Sequence, residues 1–214
     1  MKQLEMSSSS GRVVTTEQQA HGNKPQGKTP DDLADSHQMR LKLHEYKKDL
    51  FSAPPNSILI HACNTRGVWG SGIAAAFRQR YPAAFQIYRA HCLQMHHQRN
   101  APVPTGTCLL IPPCETKTGA ASHWIGCLFT SAKYGRAKDT PRTILKNTGS
   151  AVRALLHQVQ VIRASGEVVG QLVMCRINSG RFGVDWDRTV DVLRNVDVQE
   201  GTVSEVEVWS MDED

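Results

Sequence analysis

Nothing in this sequence approaches the run of roughly 20 apolar residues that crosses a bilayer, and the opening stretch MKQLEMSSSSGRVV lacks the apolar centre of a secretory signal. The expectation is a soluble chain with no membrane partner, placed in the cytoplasm or nucleus. There is no Cys-x-x-Cys pair either. The six cysteines, Cys63, Cys92, Cys108, Cys114, Cys127 and Cys175, are widely spaced among mostly apolar neighbours, a pattern of reduced core thiols rather than of a disulfide framework or a zinc site. His96 and His97 are adjacent and point to different sides of a helix, so no metal is expected there. Two familiar phosphate grips are missing: no G-x-x-x-x-G-K-[ST] and no G-x-G-x-x-G occurs. Internal repeats are absent, and no lysine-arginine run is interleaved with aromatics, which makes nucleic acid the weaker candidate partner.

What is present fits one domain with an appendage. The chain has 214 residues with 40% hydrophobic and 21% charged content, ordinary proportions for a packed domain. Residues 1–38 are rich in Ser, Gln, Thr, Gly, Lys and Pro without sustained periodicity, and are expected to form a disordered tail; the domain is expected over 39–210, with an acidic end at 211–214. Charge is unevenly distributed. Residues 41–196 carry 20 Lys/Arg against 8 Asp/Glu, a net of +12, so the body of the protein favours an anionic partner.

Strand-like and helix-like segments alternate from residue 39 onward. Met39–Leu43 alternates apolar and polar residues, as an edge strand does, and Ile58–Ala62 is an apolar run suited to a central strand. Further strands are expected at Thr107–Ile111, Trp124–Phe129, Leu172–Ile177 and Val203–Trp209. Helices are expected over Ile73–Tyr81, from Pro82 toward His96, from Pro141 to about Ala164, and near Trp186–Val196. This order predicts an α/β fold, layered α/β/α, with a largely parallel sheet of about six strands.

Two glycine-bearing loops, around Gly70-Ser71-Gly72 and Asn178-Ser179-Gly180, each follow an apolar strand and precede a helix. Strand ends and helix N-termini in open α/β sheets form anion-binding crevices. Alone, either loop reads equally well as a tight turn. Together with Asp49-Leu50-Phe51, His61-Ala62-Cys63-Asn64, Trp69-Gly70-Ser71-Gly72-Ile73-Ala74, Leu128–Ser131 and Ile177-Asn178-Ser179-Gly180-Arg181-Phe182-Gly183, they occur in the order of the macrodomain family. Over residues 40–209 the chain resembles that family, and is most similar to its fungal ADP-ribose 1''-phosphate phosphatase branch.

The resemblance implies a pocket for ADP-ribose and ADP-ribose 1''-phosphate, with ADP-ribosylated proteins as further ligands. It implies that Asp49, between Lys48 and Leu50, accepts from the adenine amino group; its alternative role is a helix cap. The usual residue before this aspartate is glycine, and here it is Lys48. Asn64, beside Ala62 and Cys63, matches the asparagine that orients the distal ribose, the alternative being that its amide satisfies loop backbone. Trp69 to Ala74 and Ile177 to Gly183 would enclose the diphosphate and ribose, with Phe182 over the sugar or in the core. Arg181 replaces the usual aliphatic residue and either faces solvent or adds a cation beside a terminal phosphate. His61, where many relatives have asparagine, is the implied proton-transfer group together with Asn64, since imidazole titrates at a pKa of about 6.5; otherwise it is a strand-end histidine. The expected activity is hydrolysis of ADP-ribose 1''-phosphate to ADP-ribose and phosphate by a monomer needing no cofactor or metal. Alternatives are removal of ADP-ribose or acyl groups, and a non-catalytic reader. The deacylase branch uses an aspartate where this chain has Phe182, which counts against that mechanism.

Overall fold

The structure is a computed structural model, and it describes residues 39–199 and 201–211. The expectations for the tail at 1–38 and for 212–214 fall outside the described residues. Among the described residues, eight strands and four α-helices follow in order: β1 (Met39–Arg40), β2 (Lys42–Lys47), β3 (Ile58–Asn64), α1 (Gly72–Arg80), α2 (Pro82–Ala90), β4 (Cys108–Ile111), β5 (Trp124–Ser131), α3 (Pro141–Ala164), β6 (Leu172–Met174), α4 (Trp186–Arg194), β7 (Asp197–Val198) and β8 (Glu205–Ser210).

Six strands form one mixed sheet in the order β2-β8-β6-β3-β5-β4. All neighbours in it are parallel except β4 and β5. Parallel central strands must be covered on both faces, and the sequence supplies apolar side chains for both. On β3, Ile58 and Ile60 pack with Leu155 and Val159 of α3. The alternate residues Leu59 and Cys63 pack with Phe77 of α1 and Phe85 and Tyr88 of α2. The result is the expected three-layer α/β/α arrangement. α3 runs for 24 residues against β5 and β4; Pro141 occupies its first turn and the Thr140 hydroxyl accepts from the Thr143 N–H at 3.3 Å.

Most element boundaries differ from the sequence reading by a residue or two, and four differences bear on the course of the chain. The first strand is interrupted at Leu41: β1 pairs antiparallel with the unexpected β7, whereas β2 turns into the main sheet beside β8. The strand expected over Leu172–Ile177 stops at Met174, because the chain then turns, with Asn178 at φ 67° and Val184 N–H bonded to its carbonyl at 3.0 Å. The helix from Pro82 changes at His91 into a π-helical turn ending at Met95, and the last strand begins at Glu205.

Candidate functional site

At the carboxyl ends of the parallel strands lies a cavity of about 780 Å³, within the range of pockets that hold nucleotide-sized ligands. It takes in residues following β2 (Lys48, Asp49, Leu50), on or after β3 (Ala62, Asn64, Gly70, Ser71, Gly72, Ile73, Ala74) and after β6 (Ile177, Asn178, Ser179, Gly180, Arg181, Phe182). The sequence reading named all of these. It missed Val68, Tyr134, Cys175, Arg176, Trp186 and the stretch Trp209–Met211, which also line the cavity. That last stretch joins the wall because the end of β8 neighbours the end of β2, a pairing that the order of elements in the sequence does not reveal.

The two glycine loops face the cavity with unused donors. Ser71 is the N-cap of α1 but makes no side-chain capping bond, so the first N–H groups of the helix have no intrahelical partner. Gly72 sits at φ 56°, a left-handed conformation that suits glycine. In the second loop, the N–H groups of Gly180, Arg181 and Phe182 have no backbone acceptor among the described residues. N–H groups without backbone acceptors in two wall loops, one of them at a helix N-terminus, suit an anion.

The second loop is held from below by a buried polar network. Asn178 donates from Nδ2 to the Thr148 hydroxyl at 2.9 Å and accepts at Oδ1 from the Thr130 hydroxyl at 3.0 Å. Thr148 in turn donates to the Ile144 carbonyl at 2.8 Å, and Asn147 Nδ2 donates to the Thr130 carbonyl at 3.0 Å. All four polar side chains are buried. The network ties the left-handed turn at Asn178 to β5 and α3, fixing the loop before any ligand arrives.

Asn64 is committed in a similar way. Its Nδ2 donates to the Val68 carbonyl at 2.6 Å and its Oδ1 accepts from the Arg66 N–H at 2.9 Å, while the Tyr88 hydroxyl donates to its carbonyl at 2.6 Å. The loop-organising role is therefore real, and only the second hydrogen of the amide remains for a ligand. Asp49 is exposed and accepts from the Phe51 N–H through Oδ1 at 3.0 Å. Its other carboxylate oxygen has no hydrogen-bond partner among the described residues, so capping and base recognition are compatible. Lys48 reaches back over Tyr46 and Trp209, with Nζ 4.6 and 4.7 Å from the ring centroids. Trp186 Nε1 donates to Glu45 Oε2 at 3.2 Å, and Arg176 pairs with the same oxygen at 3.5 Å.

Four predicted site residues lie elsewhere: His61, Cys63, Trp69 and Gly183 are not in the cavity wall. His61 is the consequential correction. Its side chain is fully buried at 0% exposure, stacked on Phe77 at 4.1 Å with the edge of Trp69 4.8 Å away. The reason is strand alternation: His61 shares a face with Leu59 and Cys63, which pack toward α1 and α2, while Ala62 reaches the cavity. A proton-transfer role at the substrate does not fit this position. Trp69 is equally buried, stacked on Tyr88 at 4.9 Å. Gly183 closes the second loop, its N–H donating to the Gly180 carbonyl at 3.0 Å.

His61 instead belongs to a buried group with Cys63 and Cys127, whose ligand atoms all lie within 4.8 Å of one another. Cys63 Sγ is 3.4 Å from His61 Nε2. Burial raises the Cys63 thiol, but the contacts with Cys127 and His61 outweigh it and hold the pKa down at about 5. Burial first, and then its hydrogen bond with Cys63, push Cys127 well above the usual thiol range. Imidazole and two thiols at this spacing are donors that soft metals accept, a juxtaposition across β3 and β5 that linear spacing did not reveal.

A model described as Macro domain matches residues 60–193. The chain belongs to the Macro domain family. Among its relatives is the ADP-ribose 1''-phosphate phosphatase of Chaetomium globosum, 45% identical over 169 residues, covering 77% of this chain and 89% of that one. The protein of the same name from Aspergillus oryzae is 40% identical over 196 residues, covering 80% and 95%. Solved structures share the macrodomain fold at low identity. An Oceanobacillus iheyensis macrodomain mutant with ADPR superimposes with a TM-score of 0.59 at 17% identity, covering 80% of this chain and 86% of that one. Thermosipho africanus DarTG in complex with ADP-ribose gives 0.60 at 15% identity, covering 83% and 44%.

Proposed function

We propose that this macrodomain hydrolyses ADP-ribose 1''-phosphate to ADP-ribose and phosphate. The observation that carries the reading is the cavity with its two donor-bearing glycine loops, found in a chain 40–45% identical to fungal proteins bearing that activity in their names. In this reading the loop N–H groups hold the diphosphate, Asp49 accepts from adenine, and the remaining Asn64 N–H orients the distal ribose. Water attacks phosphorus and the bond from phosphorus to the ribose oxygen breaks. Phosphoryl transfer passes through a loose transition state in which positioning and charge stabilisation outweigh base assistance, which suits a cavity wall that contains no histidine among the described residues.

The test is incubation of purified protein with ADP-ribose 1''-phosphate and, separately, with an ADP-ribosylated protein, scoring phosphate and ADP-ribose release independently. Phosphate release from the first and no ADP-ribose release from the second is the expected result. Tight ADP-ribose binding with no release from either substrate would replace the enzyme with a reader.

A further inference from the structure

The cavity wall carries three cations among the described residues, Lys48, Arg176 and Arg181. Its only carboxylate among the described lining residues is Asp49, which follows the edge strand β2. The strand order places the second glycine loop, the first glycine loop and the β5–α3 connection successively farther from that edge. At a strand spacing of about 4.8 Å, β3 stands roughly 14 Å from β2.

Two cations meet at the second loop. Arg181 projects from the second loop, and its Cγ lies 3.7 Å from where a Cβ on Gly72 would stand. Its stem thus reaches the N-terminus of α1 and bridges the two loops. Lys138, which is outside the cavity wall, arrives from the β5–α3 connection: its Nζ donates to the Arg181 carbonyl at 3.3 Å and sits 3.5 Å from the Cβ position of Gly183. Neither cation has a carboxylate partner among the described residues. The acids nearby in sequence are engaged, Asp139 accepting from the Ala132 N–H at 2.8 Å and Asp185 capping α4 through the Asp187 N–H at 3.0 Å. By contrast, the other arginine of the cavity wall, Arg176, is paired with Glu45. Two like charges tied to one loop without a counterion form an arrangement that an anion completes, and a guanidinium fork matches phosphate oxygens.

We propose that Arg181 and Lys138 form a clasp for the terminal phosphomonoester, distinct from the backbone grip on the diphosphate, and that the clasp sets the preference for phosphorylated over unphosphorylated ADP-ribose. The identity of that third phosphate rests on the phosphatase reading above. The experiment compares wild type with Arg181→Leu, Arg181→Lys and Lys138→Ala, measuring kcat and KM for ADP-ribose 1''-phosphate and Kd for ADP-ribose. Arg181→Leu should raise KM for the phosphorylated ligand by about 10- to 100-fold while weakening ADP-ribose by less than about threefold. Arg181→Lys should recover part of the loss, because it keeps the charge and loses the fork, and Lys138→Ala should shift KM in the same direction by a smaller factor. An unchanged KM in Arg181→Leu overturns the clasp, and so does an equal loss on both ligands, which would assign the guanidinium to the diphosphate. If wild type releases no phosphate, the phosphatase reading fails on its own. Calorimetry then reads both affinities directly, because the ligand is not consumed, and an unchanged affinity ratio in Arg181→Leu overturns the clasp in that case too.

Discussion

Replacing His61 separates a core histidine from a reacting one. The ring is wholly buried, stacked on Phe77 at 4.1 Å and met by the edge of Trp69 at 4.8 Å. Truncation to alanine removes an imidazole from a site whose walls are aromatic rings and β-sheet, which collapse poorly into a void. Large-to-small changes at such positions cost about 2–4 kcal/mol, and in a domain of this size each kcal/mol lowers Tm by roughly 2–4 °C. His61→Ala should therefore melt roughly 5–15 °C below wild type. His61→Leu refills most of the volume and should cost less than His61→Ala, although it removes the imidazole contact of Cys63. Denaturant titration measures both, and phosphate release is assayed well below each variant's Tm. The expected outcome is that His61→Leu retains turnover within about threefold of wild type, since a group that transfers no proton forfeits none of the roughly 10²- to 10⁴-fold that acid-base catalysis supplies. A His61→Leu protein of near wild-type stability that has lost about 10²-fold or more in kcat would refute this reasoning. The imidazole would then have to reach the substrate through a rearrangement of α1.

Three further outcomes follow from the same geometry. Asp49→Ala should weaken ADP-ribose by about 1.5–3 kcal/mol and leave ribose 5-phosphate binding, which has no adenine, unaltered; calorimetry on the two ligands checks it, and equal ADP-ribose affinity in both proteins removes Asp49 from the site. Asn178→Ala strips partners from the buried Thr130 and Thr148 hydroxyls and puts a Cβ-bearing residue without a local hydrogen bond at φ 67°. It should cost about 2–4 kcal/mol by denaturant titration, and a loss below about 1 kcal/mol would show the network to be dispensable. Because the folded-state pKa of Cys63 is depressed to about 5, the stabilisation it carries is fully present above its unfolded value of about 8.5 and declines as pH falls toward the folded value. The stability difference between wild type and Cys63→Ser should therefore shrink from pH 9 to pH 5, and a constant difference over that window argues for a neutral thiol.

The fold was legible because its signals are local. Ile58–Ile60 and Trp124–Phe129 are apolar runs, Pro82 and Pro141 mark helix starts, and glycine falls where strands turn into helices. The cavity wall was legible only through the macrodomain resemblance: strand ends are where an open α/β sheet places a ligand, but either glycine loop alone read equally well as a tight turn. His61 shows where such reading stops. Its rank in the chain, three residues before Asn64, suggested a shared crevice, yet the period-two alternation of a strand sends 61 and 62 to opposite faces. That alternation is itself a sequence signal, and applied to Leu59, His61 and Cys63 it predicts a common face away from Ala62. Arg176, Trp186 and Met211 carried no local signal, because they meet the site only after β6, α4 and β8 have been ordered within the sheet and fold. The same holds for Lys138: its distance in sequence from Arg181 is 43 residues, and only the adjacency of the β5–α3 connection to the second loop turns two dispersed bases of a +12 body into one candidate phosphate site. Net charge predicted that an anion would be bound; topology decides where on the surface that charge becomes specific.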